Sequence, residues 1–403
     1  MRKTTTGERA AASRRIRTLF FNTRDTIGAD VAVHISLIRS LERARNSIFV
    51  VSNSQASDVD RMRAICSEIP DTVVRFMPLG MPSIRLGQHG KLVKLAVGMQ
   101  MVGSLLRVLA MIGRDKIDLI HSTDRPRDAF FSTLLARLSG ITSVVHMHSN
   151  SGDFLGKLTN FGLANATAVV AVSNGLKCGL VKMGVSADRI YVVHNAVDAA
   201  TFDPTLFEGH REAIRLRYEI PKDAPVIGIV ARLIPWKGHY ELLDALKILL
   251  HDYPELRLLV VGTGSEEQAL RDRAHDLSVE DAVIFTGWTD DVPSMMTAMD
   301  VFSLPSYEEP FGLAIIEAMA MNLPVIACDS GGVPEIIEDS VNGRLVPPRD
   351  SSAIARAVTE LLSRPDIAKA IGAAGRRTVL SKFTPANQAS AMSELYTAIV
   401  SRR

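Results

Sequence analysis

Cysteine is scarce in this 403-residue chain: Cys66, Cys178 and Cys328 stand far apart with no C-x-x-C pair. That excludes a disulfide framework and a zinc site built on paired cysteines, and it fits a reducing cytosol. Tandem repeats and low-complexity tracts are missing as well, which removes solenoids and linker-dominated chains. Charged residues make up only 22% against 47% hydrophobic, too apolar a balance for a disordered chain. The length exceeds what one core organises and suits two domains.

No export segment can be read at the N-terminus. Ser13-Arg14-Arg15 has the form of a twin-arginine signal, but Leu19-Phe20-Phe21 gives way at once to Asn22-Thr23-Arg24-Asp25, leaving no apolar h-region. Residues 1–15 read as a basic tail ahead of a first strand, and the protein as cytoplasmic. The most apolar later stretch, 95–113, approaches membrane-span length but carries Gln100, Ser104 and Arg107. It reads as an amphipathic helix, with lipid contact at one face as the alternative.

The net charge of +2 hides an asymmetry. Residues 1–200 carry 26 Lys and Arg against 15 Asp and Glu, net +11, whereas the remainder is net −9. A basic half is either a solvated surface or an attraction for phosphate groups, nucleic acid or an anionic membrane face; weighed with the motifs below, nucleic acid is not an expected partner.

Short β-rich apolar runs alternate with helical patterns at 18–21, 47–51, 118–120, 143–145 and 168–172. The alternation restarts at 226–232 after Pro221-Lys222-Asp223-Ala224-Pro225, and continues at 256–261, 282–285, 301–304 and 324–327. Continuous apolar strands separated by helices predict parallel sheets covered on both faces. The fold class is therefore α/β, with two Rossmann-like doubly wound domains. Their expected bounds are 16–205 and 206–384, with a C-terminal helix at 385–403 packing back towards the first domain.

In such sheets ligands sit beyond the C-terminal strand ends. Gly262-Thr263-Gly264 begins like a dinucleotide fingerprint, but the third glycine position is Glu267, leaving a tight strand-to-helix turn or a nucleotide contact. Arg232 and Lys237 share one loop shaped by Pro235 and Gly238, and could clamp a diphosphate. Further on, Pro310 suits a first helical position, and Gly312 would let a ligand approach the first-turn amides. Glu317 stands alone in an apolar helix and needs a partner, internal or a ligand hydroxyl. Glu309 lies eight residues earlier, about 12 Å along a helix, the reach of a sugar–diphosphate–ribose unit. Asp58-Val59-Asp60 offers a superficial metal-binding Asp-x-Asp, but it reads as a helix start or surface turn.

Taken in order, Ser173-Asn174, Asn195 to Asp198, Arg232 with Lys237-Gly238, Gly262-x-Gly264, Phe285-x-Gly287, Pro305-Ser306, Glu309-x-Phe311-Gly312-Leu313 through Glu317, Pro324 to Ala327, Gly331-Gly332-x-Pro334-Glu335 and Asn342-Gly343 resemble glycosyltransferase family 4. The likeness runs from about residue 17 to the end and is strongest over 168–350. It implies the GT-B arrangement, two Rossmann-like domains facing a cleft, and a retaining glycosyltransferase that uses a nucleotide-diphosphate sugar with no required cofactor or metal. By the resemblance Arg232 and Lys237 hold the diphosphate, aided by the Gly312 and Leu313 amides, with Gly262 and Phe311 also in the donor site. Glu309 binds sugar hydroxyls, Glu317 the ribose, and Trp288 falls where the family contacts the base. His148 matches a histidine near the reacting carbon, with His146 as its rival. Gly28 corresponds to a glycine loop on the acceptor side, where Ile27 replaces the family's first glycine. The implied reaction is substitution at the anomeric carbon, the acceptor hydroxyl arriving on the face that the diphosphate leaves, with Arg232 and Lys237 stabilising charge. The acceptor, a sugar, glycan or lipid-linked group, is set by loops 22–30, 76–91 and 121–128. Alternatives are a nucleotide-sugar epimerase, a sucrose-type transferase or a sugar phosphorylase, for which last no pyridoxal-phosphate lysine can be identified, and a non-catalytic nucleotide-sugar binder.

Overall fold

The computed structural model describes residues 14–24, 26–79, 91–150, 152 and 155–402, with the backbone alone at 91–95. The expected basic tail up to residue 13 and most of the 76–91 loop lie outside them. Two sheets organise the chain. The first contains β1 (Ile16–Asn22), β2 (Asn46–Asn53), β3 (Thr72–Met77), β4 (Leu119–Thr123), β5 (Thr142–Met147), β6 (Ala168–Ala171) and β7 (Ile190–Val192), in the order β3-β2-β1-β4-β5-β6-β7. The second contains β8 (Val226–Val230), β9 (Arg257–Val261), β10 (Val283–Gly287), β11 (Val301–Leu304), β12 (Val325–Cys328) and β13 (Arg344–Val346), in the order β10-β9-β8-β11-β12-β13. Pairing is parallel across β1 to β5 and throughout the second sheet. Both sheets thus follow the doubly wound order in which the strand sequence reverses beside the first strand.

The central strands are buried on both faces: every residue of β4, β5, β6, β11 and β12 is buried. That is why their apolar residues run together instead of alternating with polar ones. Helices cover the faces; in the first sheet Val108, Met111 and Ile112 of the helix Lys91–Arg114 join Leu19, Phe21 and Ile120 in one cluster.

Two compact units result. One comprises residues up to 146, 155–169 and 389 onward; the other comprises 147–150 and 170–388. Residues 170–205 therefore cluster with the second sheet's unit, and the C-terminal helix Pro385–Ser401 belongs to the first unit from residue 389. In that first unit Tyr396 bonds to His121 Nδ1 at 2.5 Å, and His121 Nε2 lies 3.3 Å from His146 Nδ1. All three side chains are fully buried.

At the first unit's reversal point, between β1 and β4, buried Asp128 accepts from the Thr23 amide (2.7 Å) and the Thr123 hydroxyl (2.8 Å). Burial pushes its carboxyl up to about 6 against the opposing pull of those bonds. The acid ties together the ends of two neighbouring strands, and so fixes the loops that leave them.

Candidate active site

The second sheet reverses between β8 and β11, so the loops after these strands meet where ligands are expected. The loop after β8 is pinned from one side by the turn after β9. Ala231 N donates to Val261 O (3.1 Å), Leu233 N to Thr263 O (3.0 Å) and Glu266 N to Leu233 O (3.0 Å). This contact explains Gly262 and Gly264: a Cβ at either would sit 2.0 or 2.1 Å from the carbonyl oxygens of Ala231 or Leu233. These glycines serve backbone approach between two loops, the plainer of their two readings, and Gly262 presents no side chain to a ligand.

From the other side the β8 loop is joined to the β11 loop. Tyr307 N (3.1 Å) and Ser306 Oγ (2.9 Å) both donate to Trp236 O. Gly238, at φ +80, would place a Cβ 2.2 Å from Pro305 O. Across this seam Lys237 Nζ meets Glu309 Oε2 at 2.7 Å, with the two side chains only 16% and 7% exposed. Arg232, at the mouth of the same loop, is exposed and makes no ion pair among the described residues. The site thus holds one cation whose charge is matched internally and one facing outward, both at the C-terminal edge of the sheet.

The segment after Glu309 departs from expectation. Pro310 is not a first helical residue: the helix is Leu313–Ala320, with Gly312 as its N-cap at φ +115. The 12 Å separation of Glu309 and Glu317 assumed eight helical residues, but the chain from 309 to 312 is loop. Gly331 and Gly332 shape that loop. Gly332 N donates to Glu309 O at 2.9 Å, and a Cβ on Gly331 (φ +57) would lie 2.0 Å from the same oxygen. Ser173 Oγ donates to Pro310 O at 2.6 Å. Gly331→Ala is expected to displace the 309–312 backbone, to destabilise the protein by about 2 kcal/mol and to weaken donor binding. Thermal unfolding with and without nucleotide sugar checks both effects.

Gly312 carries no capping side chain, so among the described residues the amides at the start of this helix have no side-chain acceptor. Leu313, half-buried, opens the helix. One turn on, Glu317 is also half-buried, and its carboxylate makes no hydrogen bond or ion pair among the described residues. Desolvation pushes it up to about 7. The internal partner that its apolar setting called for is thus missing among the described residues, and the half-buried carboxylate keeps some access to solvent.

Phe311 is a correction. Its ring is 2% exposed and packs against His194 and Phe383, each with centroids 5.7 Å away. A buried ring in the core offers nothing to a nucleotide; its place in the motif is structural. Trp288 stands just after Gly287 and is 64% exposed. His148 lies just past β5 and is half-buried, whereas His146 is fully buried, its ring stacked on His34 at 5.4 Å. The two histidines therefore differ in access. Gly28 is the N-cap of the helix Ala29–Ser40 with extended φ of −98. A Cβ there would fall 2.8 Å from Arg24 Nη1 and 2.9 Å from Asp30 Oδ1, so the glycine leaves room for that ion pair. Asp58 starts the helix Val59–Ser67 and accepts from the Ile27 amide at 3.0 Å, a structural acid as expected.

Glu335 stands in the sequence only as one letter of a motif, with nothing there to give it a role. Its carboxylate accepts from Asn174 Nδ2 (2.8 Å), the Gly175 amide (3.0 Å) and His194 Nε2 (2.9 Å). Burial alone would raise its carboxyl, but the bonds from His194, Asn174 and Gly175 outweigh it and hold it at about 2. A Cβ on Gly175 would sit 2.2 Å from Gly331 O. The Ser173-Asn174, Gly331-Gly332 and Glu335 motifs are thus one brace beneath the Glu309 loop. Only their shared motif status hinted at this in the sequence.

The family described as Glycosyltransferase Family 4 matches residues 31–201, and the one described as Glycosyl transferases group 1 matches 210–378, together most of the chain. A GDP-mannose-dependent alpha-(1-6)-phosphatidylinositol monomannoside mannosyltransferase of Mycobacterium tuberculosis is 36% identical over 196 residues, covering 46% of this chain and half of that relative's length. A D-inositol 3-phosphate glycosyltransferase of Saccharomonospora viridis is 28% identical, covering 93% of this chain and 90% of the relative. Among solved structures, HepE of Anabaena in complex with UDP and glucose superposes with a TM-score of 0.77 at 21% identity, covering 95% of this chain and all of that one. Sucrose-phosphate synthase of Thermosynechococcus elongatus gives 0.75 at 21% identity, covering 96% and 100%. These two likenesses establish the fold.

Proposed function

This chain belongs to glycosyltransferase family 4, with the GT-B fold, and we propose that it moves a sugar from a nucleotide-diphosphate sugar to an acceptor hydroxyl with retention of configuration. The observation that carries the reading is the junction of the β8 and β11 loops, where Arg232, the Lys237–Glu309 pair and the open start of the Leu313–Ala320 helix stand at one strand-order reversal.

Arg232 and the helix-start amides at Gly312 and Leu313 would take the diphosphate, and Lys237 would neutralise charge as it departs. In this reading these donors supply the positive charge that the departing diphosphate requires, the role a metal would otherwise take. Glu309, held by Lys237, would accept from sugar hydroxyls, Glu317 from the ribose, and Trp288 would lie against the base. His148 would reach the donor sugar, and the Gly28 loop would serve the acceptor. With no carboxylate assigned as nucleophile, the departing phosphate oxygen would take the acceptor's proton as the new glycosidic bond forms on the same face.

The acceptor in this reading is a phosphate-bearing polyol or glycolipid, the kind named for both relatives, and the enzyme serves glycan or glycolipid biosynthesis at the cytoplasmic side. A thermal-shift screen against UDP-, GDP- and ADP-sugars, with and without EDTA, tests the donor site. One nucleotide class is expected to raise the melting temperature equally in both conditions. A shift that EDTA abolishes would overturn metal independence, and the absence of any shift would overturn the donor assignment.

A further inference from the structure

The helix Lys91–Arg114 has two apolar faces. Its inner face, with Leu105, Val108, Leu109, Met111 and Ile112, belongs to the first sheet's core. The outer face carries Met99, Val102 and Leu106, exposed by 62%, 54% and 62%, and continues in exposed Ala110 and Gly113. Steps of three and four residues put them on one stripe across successive turns, where a water-facing helix is normally polar. Over Ala96–Arg114 the mean hydropathy is 1.5, yet only 22% of the stretch is buried. Because the inner residues are committed to the core, the helix cannot leave to cross a bilayer, but it can lie on one.

Cations border the stripe. Arg107 and Arg114 are exposed on the helix, and exposed Arg75 of edge strand β3 faces the turn that follows it. Lys116 is exposed just beyond, while Asp115, the only acid in 91–116, is engaged by Arg114 at 2.6 Å. An apolar stripe with a basic border matches a surface of lipid tails under anionic headgroups. A second copy of this chain would set the same cations against themselves.

We propose that this outer face docks on an anionic lipid bilayer, Met99, Val102 and Leu106 entering the acyl boundary while Arg75, Arg107 and Lys116 meet lipid phosphates. The inference deepens the function proposed above by naming the surface at which a lipid-linked acceptor is met, and rests on that reading for the choice of a lipid partner.

Co-sedimentation of the full chain with vesicles tests it, using phosphatidylcholine alone and phosphatidylcholine mixed with phosphatidylserine. Binding is expected only to the mixed vesicles and to weaken as salt rises. Met99→Asp/Val102→Asp/Leu106→Asp should lower the bound fraction about tenfold or more. These positions are exposed, so the fold should survive. Arg107→Glu/Lys116→Glu should abolish the preference for anionic lipid without touching the apolar stripe. Equal indifference to both vesicle types, wild-type binding by the triple variant, or a dimer in light scattering that the triple variant loses would each overturn the proposal. Donor-induced thermal stabilisation is measured on the same samples. If it persists while vesicle binding fails, only the docking inference falls; if it fails while vesicles bind, the donor site falls instead.

Discussion

Lys237→Ala will lower turnover by about 100- to 1,000-fold, the usual loss when one fixed donor to a developing anion is removed. It will also destabilise the fold, by about 3 kcal/mol, because it leaves the Glu309 carboxylate buried without its ion pair. The two effects separate in a double variant. Lys237→Ala/Glu309→Gln removes the unpaired charge and should recover most of the stability, while turnover stays low. Urea unfolding and initial rates at saturating donor measure the two quantities. Arg232→Ala should lower turnover to a similar degree with little change in stability, since that side chain is exposed and makes no ion pair among the described residues. Wild-type rates in either single variant would end the assignment of these cations to the departing diphosphate.

The contrast in burial and pairing between Arg232 and Lys237 was not visible in the sequence, which placed both in one loop as a clamp on one diphosphate. Their difference arises from the seam to the Ser306–Glu309 loop, a contact across some seventy residues. What sequence does carry is set by burial. The ten strands expected from apolar runs all appear, and the three that were not expected, β3, β7 and β13, lie at sheet edges. There one face stays wet, and β3 alternates half-buried and exposed residues over most of its length, so no continuous apolar run betrays it.

Glycines follow the same division between local and distant causes. Gly262 and Gly264 were legible as a turn, but the carbonyls that require them, Ala231 O and Leu233 O, come from the neighbouring loop. Phe311 shows the opposite failure. Its place between Glu309 and Gly312 suggested ligand contact, whereas its ring fills a core shared with His194 and Phe383. A motif's residues are close in sequence because one loop needs all of them, some for its face and some for its foundation. Burial separates the two kinds, and burial depends on partners that the motif does not contain.

Glu317 gives the sharpest test of a function set against stability. Its carboxyl is pushed up to about 7 by desolvation, with no hydrogen bond among the described residues to offset the cost. Between the ordinary carboxylate range near 4.5 and about 7, the folded protein holds a proton that the unfolded chain has released. Stability of the nucleotide-free protein must therefore fall as pH rises through that window, and level off above it. Glu317→Gln removes the titration. The variant should match wild type near pH 5 and exceed it near pH 8 by about 2–3 kcal/mol, because each tenfold difference in proton affinity between the folded and unfolded states is worth about 1.4 kcal/mol. Urea unfolding at the two values reads the difference. Nucleotide-sugar affinity should move the other way, because only the ionised carboxylate can accept from both ribose hydroxyls. Wild-type affinity should strengthen about tenfold from pH 6 to pH 8, and the Gln variant should bind weakly with no such dependence. Donor binding near pH 7 would then release a proton, detectable as a buffer-dependent enthalpy in calorimetry. A variant that gains stability yet keeps wild-type affinity would show that Glu317 is buried for packing and that another group holds the ribose.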